Sequence, residues 1–243
     1  MRFNAIRRVL GLGVLVCILL VLSPTPAQPA SGGTRLEMPD PAPVVALTFD
    51  DGPRTDTTAA LLDGLALREV PATFFLVGEC IPGNESLILR MAQDGHQVGI
   101  HTYDHVQVTE LTKDDFNSQV NRTRALLTGL LGEGTFWLRP PYGIVDESVE
   151  QWADCPLILW SVDPEDWDDQ NTDHIVRSVL SQTEDGDIIL LHDIYPTSVD
   201  AALQIVDKLL EDGYLFVTVE QLMKLRGVEP VSGELYRSLP PKA

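Results

Sequence analysis

Short apolar runs alternate along most of the chain with patterns at helical spacing, and this alternation restricts the fold more than any other feature. Residues 44–49, 72–77, 97–100, 135–138, 157–161, 187–191 and 215–217 read as strands. Residues 55–68, 85–93, 113–131, 146–153, 171–181, 198–212 and 219–225 read as the helices that separate or follow them. The longest helix has Thr112 as its N-cap, Asp115 at the third position and Gly132 as its stop. Repeated strand–helix units bury their strands in a mostly parallel sheet with helices outside. Seven strands so connected predict an α/β fold with barrel-like, incomplete closure. No internal repeat is visible.

A chain of 243 residues suits one sizeable domain rather than two. Its net charge is −19, and −22 without residues 1–30, which hold Arg2, Arg7 and Arg8 and no acid. A field of that sign excludes nucleic acid and anionic membrane as general partners. A neutral polymer fits it, and a charged substrate needs a local reversal.

The three arginines precede an apolar or glycine stretch over residues 9–22, shorter than the about 20 residues that span a bilayer comfortably. With Thr25-Pro26-Ala27 as a small-residue cleavage site, residues 1–27 are expected to be a secretory signal, which places the protein in the cell envelope or outside the cell. An uncleaved anchor is the alternative and the one expected route to a membrane. Residues 28–42 read as a Pro-, Gly- and Ser-rich linker, 43–227 as the functional domain, and 228–243 as a tail that wraps the surface or frays. Cys17 leaves with the signal. Cys80 follows one predicted strand and Cys155 precedes another, so a parallel arrangement puts them at opposite ends. That separation exceeds the roughly 7 Å Cα limit of a disulfide.

Five polar clusters fall at or just beyond the C-terminal ends of predicted strands: Thr48-Phe49-Asp50-Asp51-Gly52-Pro53, His101-Thr102-Tyr103-Asp104-His105, Arg139-Pro140-Pro141-Tyr142-Gly143, Asp163-Pro164-Glu165-Asp166-Trp167 and Leu190-Leu191-His192-Asp193. Carboxylates, histidines and an arginine on one rim are the parts of a hydrolytic metal site. Taken alone, Asp50-Asp51 is a solvated turn. At a strand end, however, a turn relaxes the alternation of faces and lets one carboxylate bind a cation while the other stays free as a base. His101 and His105, four apart, share one face of a helical turn, a spacing as compatible with structure as with metal. Asp51, His101 and His105 would leave positions open for water and substrate. The proline-stiffened loop at Arg139 can hold a guanidinium and a backbone N–H rigidly, or place an arginine in a surface ion pair. Asp166 can orient and charge His192 as a general acid. His96 and His174 are expected at the surface. Trp137, Trp152 and Trp160 are expected in the core or between helices, and Trp167 on the site wall.

In this order, the five clusters resemble the signature of the polysaccharide deacetylases, carbohydrate esterase family four, over roughly residues 44–225. The resemblance implies a distorted (β/α) barrel and a divalent metal, usually Zn2+, with Co2+ or another divalent ion as the alternative. It implies Asp50 as general base, Asp51, His101 and His105 as metal ligands, and Arg139 as the partner that orients Asp50. It further implies the Tyr142 N–H as an oxyanion donor, His192 tuned by Asp166 as the acid, and Trp167 and Leu190 around the acetyl group. One departure is Ile100, where the family often has Asn. The expected activity is N-deacetylation of an acetylated polysaccharide containing N-acetylglucosamine, foremost peptidoglycan, by a monomer. O-deacetylation of xylan or another acetylated polymer is the runner-up. A non-catalytic glycan-binding envelope protein is the third reading, against which stands the presence of every ligand, base and acid.

Overall fold

The computed structural model describes residues 42–241. The expected signal, Cys17 and the expected linker up to residue 41 lie outside the described residues. The elements follow in the order β1 (Val44–Asp50), α1 (Thr57–Leu67), β2 (Thr73–Leu76), α2 (Glu85–Gln93), β3 (Gln97–Ile100), α3 (Lys113–Leu131), α4 (Glu147–Trp152), β4 (Leu157–Ile158), α5 (Thr172–Gln182), β5 (Ile188–His192), α6 (Pro196–Glu211), β6 (Leu215–Phe216), α7 (Val219–Arg226) and β7 (Leu235–Tyr236).

All seven residues of β1 are buried, so it must be flanked on both edges and covered on both faces. The main sheet runs β3-β2-β1-β5 with every pair parallel, and β6 pairs with the start of β1. Period-two alternation sorts β1 into two faces. Val45, Leu47 and Phe49 join the large apolar cluster with the helices. Val44 and Ala46 join a second cluster with Phe75, Ile158, Ile188 and the α7 residues Leu222 and Met223. Continuing that second face toward the C-terminal end gives Thr48 and then Asp50. The inner face therefore runs from apolar at one end to acidic at the rim. β5 repeats the gradient, with Ile188, Leu190 and His192 on alternate positions.

Beyond β3 the wall closes through single bridges, Ile100 to Leu138, Leu138 to Leu157 and Val162 to Ile189. The strand expected over 135–138 is thus reduced to Leu138. Pro140 and Pro141, which follow at once, have no N–H to extend a ladder. The tail also departs from expectation, since β7 pairs in parallel with β4. The Leu239 N–H donates to the Gly186 carbonyl at 2.7 Å, and Leu239 is buried. Over its described residues the tail does more than cover the surface; it adds wall on the edge of β4 opposite Leu138 and reaches the segment before β5.

The longest helix follows its sequence signals, with the Thr112 hydroxyl accepting the Asp115 N–H and Gly132 at φ 84°. Cys80 and Cys155 are both free thiols. Among the described residues no helix is long and apolar enough to cross a membrane. His174 is exposed, as expected, but His96 is buried.

Candidate metal and catalytic site

Four of the five clusters turn the chain through left-handed backbone. Asp51 (φ 74°), Thr102 (62°), His105 (58°), Tyr142 (63°) and Glu165 (55°) lie in them; among the described non-glycine residues only Glu69 shares that conformation elsewhere. Each such residue costs of order 1–3 kcal/mol and persists where the surroundings hold it.

Asp51 leaves the strand at this turn, which frees it from the alternation that points Asp50 inward. Its Oδ1 lies 3.2 Å from His105 Nε2 and 3.5 Å from His101 Nε2. The two histidines do not share a helical turn, as their spacing suggested; His105 is brought round by a non-helical turn at 102–104. That turn is pinned from two sides. The Thr102 carbonyl accepts from Gly78 N–H and from the Thr123 hydroxyl, and the Tyr103 N–H donates to Gln119 on α3.

His101 Nδ1 lies 2.7 Å from the Arg139 carbonyl. A carbonyl only accepts, so Nδ1 carries the hydrogen and Nε2 presents its lone pair to the carboxylates. Burial, opposed by the charges of Asp50 and Asp51, lowers the His101 pKa and favours that neutral form. Asp51 is shifted down to about 2: burial raises its pKa, but the close approach of His105 and the charges of the neighbouring histidines outweigh it. Asp51 Oδ1 is buried and without a hydrogen-bond donor. The ligand atoms of Asp51, His101 and His105 lie within 4.8 Å of one another. Possible ligand atoms converging on one point, from two imidazoles and a carboxylate, fit a divalent transition metal.

Asp50 is held from behind. Arg139, fully buried, donates from Nη1 to Asp50 Oδ1 at 2.8 Å and to Thr48 Oγ1 at 2.7 Å. Its Nε and Nη2 donate to the Ile158 and Leu159 carbonyls, and its plane lies over Phe75. So fixed, Arg139 orients one Asp50 oxygen and leaves Oδ2 toward His101, 3.7 Å away. It makes a buried pair, not the surface ion pair that the loop alone allowed.

His192 is register partner to Asp50 across β1 and β5. Its Nδ1 lies 2.7 Å from Asp166 Oδ1, while its backbone N–H donates to Asp166 Oδ2 at 2.9 Å. Burial lowers the His192 pKa, but the Asp166 hydrogen bond and charge, with Asp50 and Asp51 behind them, raise it to about 9. A cavity of about 420 Å³ is lined by Asp50, Asp51, His101, His105, Tyr142, Trp167, Leu190 and His192. Arg139 and Asp166 stand behind it. The Tyr142 hydroxyl reaches the His105 carbonyl at 3.3 Å and its ring meets the His105 ring edge-on.

Trp160, Asp163 and Tyr195 also line the cavity. The sequence reading missed them as site residues, and it put Trp160 in the core. Trp160 Nε1 donates to Asp163 Oδ2 at 3.0 Å. Alternation carried from Ile158 would have found Trp160. Nothing local would have found Tyr195.

Residues 37–155 match the family model described as polysaccharide deacetylase. The chain is 40% identical over 183 residues to the peptidoglycan-N-acetylmuramic acid deacetylase PdaC of Bacillus subtilis, covering 75% of this chain and 39% of that protein. It is 36% identical to a peptidoglycan-N-acetylglucosamine deacetylase of Bacillus cereus, over 74% of this chain and 68% of the relative. The structure of a family 4 acetyl xylan esterase from Clostridium thermocellum, in complex with a cobalt ion, superimposes with TM-score 0.76 at 31% identity, covering 81% of this chain and 99% of that one. The chain belongs to the polysaccharide deacetylase family, and its fold is that family's distorted (β/α) barrel.

Proposed function

We propose that the protein is an extracytoplasmic, metal-dependent deacetylase that removes N-acetyl groups from N-acetylglucosamine-containing polymer, foremost peptidoglycan. One observation carries this reading: a three-residue metal-binding set lies beside two separately buttressed groups, Asp50 on Arg139 and His192 on Asp166, which are register partners on adjacent strands. Adjacent strands lie about 4.8 Å apart, so a base and an acid flank one reacting carbon.

A divalent ion, Zn2+ or Co2+, held by Asp51, His101 and His105 would supply Lewis-acid polarisation of the acetyl carbonyl and a more acidic water. Asp50 takes the proton of the attacking water on the oxygen that Arg139 leaves free. The Tyr142 N–H, set by its left-handed backbone, donates to the developing oxyanion. His192 has Nδ1 committed to Asp166, so Nε2 gives its proton to the departing sugar nitrogen as the C–N bond breaks. The products are acetate and a free amine. Leu190 and Trp167 enclose the acetyl methyl.

Support for peptidoglycan comes from the relatives' names and from the expected signal segment. The same atoms serve ester hydrolysis, and the acetyl xylan esterase neighbour makes that the second reading. Acetate release by the purified, metal-loaded protein from peptidoglycan, chitooligosaccharides and acetylxylan tests the choice. Faster release from acetylxylan would transfer the assignment to O-deacetylation. Release from none would favour a glycan-binding role.

A further inference from the structure

Asp193 follows the acid His192, yet it does not line the cavity and is 1% exposed. A buried carboxyl that does not face the cavity needs a structural reason. Its Oδ2 is hydrogen-bonded to Thr58 Oγ1 on α1, and its Oδ1 is buried without a partner. Thr58 Oγ1 also accepts the Arg54 N–H at 2.8 Å. A hydroxyl that accepts there has one proton to give, and it goes to Asp193.

The same carboxylate lies against Gly52, where a Cβ would collide with it. From the other side, the Gly52 carbonyl accepts the Val77 N–H at 3.0 Å. The turn at 51–54 is therefore bracketed at Gly52 by Val77, just past β2, and by Asp193, and at Arg54 by Thr58. At its start stands Asp51, a non-glycine residue at φ 74° whose carboxylate must face His101 and His105.

We propose that Asp193 and Thr58 form a positioning pair that holds Asp51 in its metal-binding conformation. Through this pair β5 sets two things at once: the acid, by His192, and the metal-binding carboxylate, by Asp193. The inference rests on the metal site proposed above, so the test separates the two.

Zn2+ is titrated calorimetrically into the metal-stripped full chain and its variants, with thermal melting followed in parallel. Thr58→Val keeps shape but leaves both Arg54 N–H and Asp193 unpaired; Thr58→Ser restores the hydroxyl. Loss of an outer support of a metal ligand typically weakens affinity about 10–100-fold. Thr58→Val and Asp193→Ala are expected to fall in that range, and Thr58→Ser to stay within about twofold. A merely structural role would lower the melting temperature and leave the Kd unchanged, and that result overturns the proposal. If Asp193→Ala fails to fold, the isosteric Thr58→Val decides alone. Failure of the unaltered chain to bind Zn2+ would overturn the metal-site reading, and this inference with it.

Discussion

β3 has a buried histidine at each end, and they do opposite things. His96, just before the strand, is 7% exposed; His101, just after it, is 2% exposed. His96 Nδ1 accepts the Ala72 N–H at 3.0 Å, and its ring meets Phe74 edge-on. A nitrogen that accepts is unprotonated, so the neutral ring carries its hydrogen on Nε2 and has no lone pair left to offer. His101 reverses this, because Nδ1 faces a carbonyl and Nε2 faces carboxylates. The atom bonded at Nδ1, not the depth of burial, separates a structural histidine from a candidate metal ligand. The two ends of the barrel differ in the same way. At the N-terminal end of β3 His96 spends its acceptor on the backbone, while at the C-terminal rim possible ligand atoms face one another at a cavity.

The sharpest way to break this comparison is to truncate both histidines. His101→Ala should lose the bound ion and reduce acetate release to background. His96→Ala should keep both and lose stability of about 1–3 kcal/mol, the usual cost of one orphaned buried donor. Full metal occupancy and rate in His101→Ala, read by elemental analysis and acetate assay, would erase the distinction between the ends.

Next in size is the contrast within the adjacent pair at the rim. Asp50→Asn should retain the ion but lose roughly 10²–10⁴-fold in kcat, the range of a general base. Asp51→Asn should instead weaken metal affinity. Equal metal loss in both variants would contradict the division that the turn at Asp51 creates.

His192 offers a comparison by leaving group. His192→Ala should slow amide substrates far more than esters with activated leaving groups, which depart without a proton. Equal losses on both would mean that His192 positions substrate instead. The acid must be protonated, so the rate should fall as pH rises through the raised His192 pKa of about 9. Asp166→Asn removes the hydrogen-bonded charge that raises it and should move this alkaline limb to lower pH. An unmoved limb would sever Asp166 from the acid.

The smallest effect returns to His96, whose pKa burial depresses from 6.5 to about 4. Between those values the unfolded chain binds more protons than the folded one, so the stability contribution of His96 falls as pH drops from 6.5 toward 4. Denaturant titrations of His96→Gln should show a flatter acid limb than the unaltered chain. An identical limb would show that His96 does not titrate in this window.

Much of the rim was readable before the structure because strand ends are marked by local chemistry. Asp50 closes a buried run, and Gly52-Pro53 follows; Leu190 and His192 are two apart and so share a face. Other features were not readable because they depend on distant partners. His96 looked exposed after Gly95, since nothing local announces the Ala72 N–H that meets it. The strand expected at 135–138 had the right residues but no ladder partners, and β7 had partners but too little apolar pattern to be seen. Asp193 reads as an ordinary polar residue until Thr58, 135 positions earlier, is found against it.

By itself the sequence determined the parallel α/β class, the strand ends that form the candidate site and the side chains placed there. Periodicity and turn residues are local, and they act wherever the chain goes. Only the tertiary structure decided the register that sets Asp50 beside His192, the carbonyl that chooses the His101 tautomer, the left-handed turn that aims Asp51, and the tail strand that completes the wall. Each of these is a contact between segments far apart in the chain, whose geometry no local pattern encodes.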